Sequence, residues 1–243
     1  EDPWTGGWSF FQAAVFRHWG TTLAMLRVPI FVAGLAGLLL VLRIARRFVS
    51  VPVAVLGVVA CSTWSLYSWH LPLLNWYYTP LALLSCWAIF RFEESERRRW
   101  LVLAGAGVGL SLLVKVTGLF LLAALLLWCL VRAGESADES PRDHRAGYAA
   151  VAAFLLAGFV AGVVLLLLGL PSEMYGAASV HFLLPCVGIA AWAVLRILRG
   201  GRTATAGVFN LAILVGPLLV GLLLAIAPIL WHYARSQALY DLL

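Results

Sequence analysis

Along nearly the whole chain, apolar runs long enough to cross a bilayer alternate with short charged loops. A membrane helix needs about 20 apolar residues, whereas a barrel strand needs about 10 in strict alternation. These runs are of the first kind, so the pattern predicts an all-α, polytopic transmembrane bundle. Spans are expected from Arg27 and Pro29 to about Leu42, from Pro52 to Trp69, and from the aromatic turn at 69–78 to Phe90. Trp100 to Val131 is continuous apolar sequence except for Lys115, the chain's one lysine. As a single helix it would be about 48 Å long at 1.5 Å per residue, against a hydrocarbon core of about 30 Å. It therefore divides into two helices near Lys115 to Gly118. Further spans run from about Tyr148 to Leu170, Val180 to Leu198 and Val208 to Trp231, giving about eight. Ahead of them, Trp8 to Trp19 is too polar to span, and Trp8, Phe11, Val15 and Trp19 share a helical face opposite Gln12 and Arg17. That reads as an amphipathic helix lying in the membrane interface.

The arginines give the spans their sides. With the N-terminus outside, the inner loops hold Arg43, Arg46 and Arg47, then Arg91, Arg97, Arg98 and Arg99, then Arg132, Arg142 and Arg145, then Arg196, Arg199 and Arg202. That is thirteen of the seventeen basic residues, and it leaves Arg17, Arg27, Lys115 and Arg235 at the outer boundary. The bias holds at every loop only if the run at Lys115 is broken, because without the break the later arginine loops fall outside. The expected layout is residues 1–23 as an outer loop with the interfacial helix, 24–133 as five spans, 134–147 as a cytoplasmic linker, and 148–243 as three further spans with an outer tail.

Composition agrees: 63% of residues are hydrophobic and 12% charged, far from the roughly 45–50% apolar content of soluble domains. The net charge of +6 resides in loop arginines, so nucleic acid is not an expected partner and the bilayer is. Cys61, Cys86, Cys129 and Cys186 sit far apart inside apolar runs and read as small packing residues. Gly105 and Gly109 form a small-xxx-small pair that admits close approach of another helix. No phosphate loop, nucleophile elbow or metal-ligand cluster occurs, so no cofactor is evident, while dependence on a divalent metal stays open. The chain begins without an initiator methionine, and a fragment is expected.

Chemistry is then expected at the outer boundary, and the residues there resemble a family. Glu1-Asp2-Pro3-Trp4-Thr5-Gly6-Gly7-Trp8, followed by Phe10 to Gly20 and then Leu26-Arg27-Val28-Pro29, resembles the first outer loop and juxtamembrane helix of GT-C glycosyltransferases. Within these it is similar to glycosyltransferase family 39, which includes protein O-mannosyltransferases and the lipid A aminoarabinose transferase. Downstream, Arg99-Trp100, Leu103-Ala104-Gly105, Gly109-Leu110, Leu113, Lys115 and Gly118 match a second stretch of the family in order and spacing. The resemblance covers roughly residues 1–132.

It implies transfer of a sugar from a polyprenyl-phosphate donor to an unknown acceptor, whether protein, lipid or glycan, at the extracytoplasmic face of the plasma membrane. It further implies a general-base Asp in the first outer loop, expected upstream of Glu1. Glu1 matches the family's Glu, and Asp2 stands where Lys is common; both are candidate acid or base groups. Lys115, Arg27 and Arg17 are candidate contacts to the donor phosphate, because a departing lipid phosphate develops negative charge. Lys115 reads equally as a boundary lysine that only snorkels. His70 and Asn75, in the second outer turn, are acceptor-side candidates. The competing readings are a transporter or flippase of lipid-linked saccharide, and a non-catalytic partner subunit of an envelope glycan machine.

Overall fold

The computed structural model describes residues 6–66, 75–115, 117–135, 145–168, 180, 183–200 and 204–235. Nine helices run through them: α1 (Gly6–Trp19), α2 (Leu23–Ala45), α3 (Val51–Leu66), α4 (Asn75–Ser95), α5 (Arg99–Val114), α6 (Gly118–Gly134), α7 (Arg145–Leu168), α8 (Leu184–Gly200) and α9 (Ala204–Arg235). The eight helices after α1 fall one by one on the eight expected spans. By length and composition α2, α7 and α9 suffice to cross a membrane, and α3, α5, α6 and α8 are shorter apolar helices. Their outer faces carry large apolar side chains, such as Leu56 at 69% and Phe154 at 80% exposure, which suits lipid and not water.

The expected break is present, and its cause is local. Lys115 leaves the helical region with φ −156° and ψ 139°, while its N–H still donates to Ser111 O at 2.9 Å. Its carbonyl accepts from Gly118 N at 2.9 Å, which closes a short turn between the end of α5 and the start of α6. A Cβ at Gly118 would stand 2.7 Å from Leu112 N and 2.9 Å from Ser111 C, so a larger residue would push the start of α6 off the end of α5.

Two compact units make up the chain, Glu1–Ala123 with Gly216–Leu243, and Ala124–Val215. In the first, α2 and α4 run parallel: Ile30 packs with Tyr77 near their starts, and Arg47 pairs with Glu94 at their ends. Between α4 and α5 the direction reverses, with Ser85 donating its hydroxyl to Ala104 O at 3.0 Å and Trp87 meeting Trp100 edge to face.

Gly105 and Gly109 face α9. A Cβ at Gly105 would press on Leu218 O and lie 2.7 Å from Leu218 C, and one at Gly109 would lie 2.7 Å from Leu222 O. Gly221 of α9 answers them, its would-be Cβ 2.7 Å from Val102 C. The small-xxx-small pair therefore has its partner, and α9 ascends parallel to α5. Parallel direction for the fourth and eighth spans is what strict alternation of eight passes requires.

The second unit closes around Tyr148 in the first turns of α7. Only 1% exposed, it donates its hydroxyl to Leu130 O of α6 at 2.8 Å. Glu135 takes Arg132 at 3.5 Å and Arg196 at 2.6 Å beside it.

Candidate functional site

The first unit has two chemically different ends. At one, Arg43 lies over Trp87, Arg47 over Phe90, and Arg91 and Arg99 over Trp100. These are the arginines of the first two loops expected on the inner side, gathered by the ends of α2 and α4 and the start of α5.

The opposite end is built by α1, the starts of α2 and α4, and the ends of α5 and α9. Gly20 stops α1 with φ +85°, a left-handed position that other residues resist, and Thr22 caps α2 by accepting from Met25 N at 3.4 Å. The chain thus turns sharply, and α1 folds back over the bundle. Gly7 packs so near Leu113 that a Cβ there would stand 2.7 Å from the leucine Cβ. Phe10 meets His232 of α9 edge to face at 4.9 Å, and Phe11 meets Tyr77 of α4 at 6.4 Å. A cavity of about 10 Å³ remains between Phe11, Gln12, Val15, Met25, Pro29 and Tyr77, the size of one water.

The face of α1 differs from expectation. Val15 is buried at 7% and Gln12 half-buried on the cavity, while Trp19 is 65% exposed. Gln12, Val15 and Phe16 are spaced i, i+3, i+4, so the bundle-facing stripe is rotated toward Gln12 from the one through Trp8 and Trp19. Gln12 is thereby a polar group of this site, and its spacing of four from Trp8 and three from Val15 is the signal that places it beside the apolar stripe and corrects the expectation that it lies opposite. Tyr77 is a second such group, concealed in a turn that reads as generic membrane-boundary aromatics.

Lys115 belongs to this end. It is the C-cap of α5, half-buried, and Val114 just before it packs with Ile30 and Tyr77. Ile30 lies one turn beyond Arg27, which is exposed on α2, and Arg17 is exposed in the last turn of α1. The structure therefore brings Lys115, Arg27 and Arg17 to one end of the unit, away from the stacked arginines. Asn75 opens α4 at the same end. Glu1, Asp2 and His70 lie outside the described residues. Among the described residues no group of three His, Cys, Asp or Glu side chains is placed to hold a metal.

A helical bundle with lipid-suited faces, one arginine-rich end, and Lys115, Arg27 and Arg17 at the end that α1 folds over defines an integral membrane protein with its candidate chemistry at one boundary. Comparison gives the family. The family model described as dolichyl-phosphate-mannose-protein mannosyltransferase matches residues 7–162, well over half of the chain, and the chain belongs to this family of membrane glycosyltransferases. No curated protein and no solved structure matches the chain significantly.

Proposed function

We propose that the protein transfers a sugar from a polyprenyl-phosphate donor to an acceptor at the extracytoplasmic face. The reading is carried by the gathering of Lys115 and Arg27 at the α1 end of the bundle. There the helix ends meet the headgroup layer, where a lipid phosphate lies. In the reaction the anomeric carbon–oxygen bond to the phosphate breaks and a bond to the acceptor oxygen forms on the opposite face, with inversion. The donor leaves as polyprenyl phosphate, and Lys115, Arg27 and Arg17 offset the charge that grows on it. A carboxylate must take the acceptor proton. Glu1 and Asp2 are the acidic residues of this chain assigned to that loop, and the family resemblance puts the principal base ahead of them. His70 and Asn75 would meet the acceptor.

The test is transfer from a radiolabelled polyprenyl-phosphate sugar by the full-length protein in detergent. A charge-assisted contact to phosphate is worth about 2–3 kcal/mol, so Lys115→Met should lower kcat/KM roughly 30- to 150-fold, and Lys115→Arg should retain more. Unchanged turnover in Lys115→Met rejects the phosphate contact. Donor binding without transfer by the full-length wild type favours the transporter reading.

A further inference from the structure

We propose that the arginine-rich end of the first unit is a docking surface for the phosphate of anionic glycerophospholipids in the leaflet around it. Between residues 43 and 99 the chain carries seven arginines against Glu93, Glu94 and Glu96. Glu94 serves two of the seven, Arg47 at 2.5 Å and Arg91 at 2.6 Å, and so joins the loop after α2 to the end of α4. Arg43, Arg47, Arg91 and Arg99 are also laid over aromatic rings at 5.0–5.8 Å, which holds their guanidinium groups in place. Arg46, Arg97 and Arg98 are exposed, and no described residue forms an ion pair with them. They face outward from a surface that already has surplus positive charge.

The apolar flank of the same surface selects the partner. Phe48 follows Arg47 and is 70% exposed, its ring edge-on to Phe90, and Val49 and Val51 beside it are exposed as well. A soluble polyanion would use the arginines and leave Phe48 in water. A phospholipid uses both, its phosphate against the guanidinium groups and its acyl chains against Phe48.

The test uses the full chain in nanodiscs of phosphatidylcholine with spin-labelled phosphatidylglycerol or spin-labelled phosphatidylcholine as the reporter. The immobilised fraction of each label gives the relative association constant. Wild type should prefer phosphatidylglycerol roughly tenfold, and the preference should weaken in high salt. The triple variant R46Q/R97Q/R98Q should lose it, and R46K/R97K/R98K should keep it. Equal association of both lipids with wild type, or an undiminished preference in the glutamine variant, overturns the proposal. If the triple glutamine variant fails to fold, R46Q and R97Q/R98Q made separately decide it: each should weaken the preference, and an undiminished preference in both overturns the proposal. Displacement of the label by millimolar glycerophosphoglycerol, which has the headgroup without the chains, overturns the assignment to a lipid.

Discussion

The α5–α9 crossing offers the sharpest test of the fold, through Gly105→Ala. The added methyl would stand 2.7 Å from Leu218 C and press on its oxygen, where ordinary contact begins at 3.4 Å. The helices must therefore part by at least about 0.7 Å. The obstacle is backbone and has no rotamer to change, so the upper part of the 1–3 kcal/mol range for overpacking applies. Alanine's better helix propensity returns about 1 kcal/mol, which leaves a net loss of about 2 kcal/mol. For a chain of this length that is an apparent melting shift of about 4–8 °C. Gly57→Ala on α3 is the control, because nothing lies within 4 Å of its Cβ position, and it should leave the melting temperature level or raise it. Cys86, half-buried on α4 and beside Ser85, reports on this unit when thiol labelling is followed by mass spectrometry during heating. Should the two alanine variants melt together, the close parallel crossing is wrong, and with it the direction of the last span.

Three further outcomes are expected. Ser85→Ala removes the interhelical bond to Ala104 O and should cost about 0.6 kcal/mol by the same labelling, the typical worth of such bonds between membrane helices. Tyr148→Phe should destabilise the second unit by about 1 kcal/mol, read from the fully buried Cys129 one residue before Leu130. If Lys115 and Arg27 face one phosphate, the double variant Lys115→Met/Arg27→Gln should lose less transfer activity than the product of the single losses, with a coupling of at least about 0.5 kcal/mol; strict multiplicativity would place them on different groups.

Periodicity and charge made the helices legible because a membrane enforces both. A span must be about as long as the hydrocarbon is thick, and the arginine bias must alternate, so the break at Lys115 followed from counting sides. What hydropathy does not carry is pairing. Gly105 and Gly109 announce a close neighbour without saying which, and the neighbour is more than a hundred residues away on α9. The face of α1 was misread for a related reason: a helix at a boundary has two apolar surroundings, bundle and lipid. Hydropathy cannot tell which of them Phe11, Val15 and Trp19 each face, and helical spacing puts Gln12, four residues after Trp8 and three before Val15, beside that stripe, with only Arg17 opposite it.

For the candidate site, parity of the passes was enough to bring Arg17, Arg27 and Lys115 to one end, but it says nothing of role. The position of Lys115 sharpens that question. As the C-cap of α5 it sits at the negative end of a helix dipole, where a cation is favourable by about 0.3–1 kcal/mol whatever it binds. A lysine kept for anchoring alone would show that small stability term and nothing more. A lysine that meets the donor phosphate would show it together with a loss of transfer tens of times larger than the stability change explains. Lys115→Met measured both ways, by thiol-labelling melts and by kcat/KM on the same preparation, separates the two. Equal and small effects would return Lys115 to the membrane boundary, and a large loss of transfer with a melting shift under about 4 °C would put it at the phosphate.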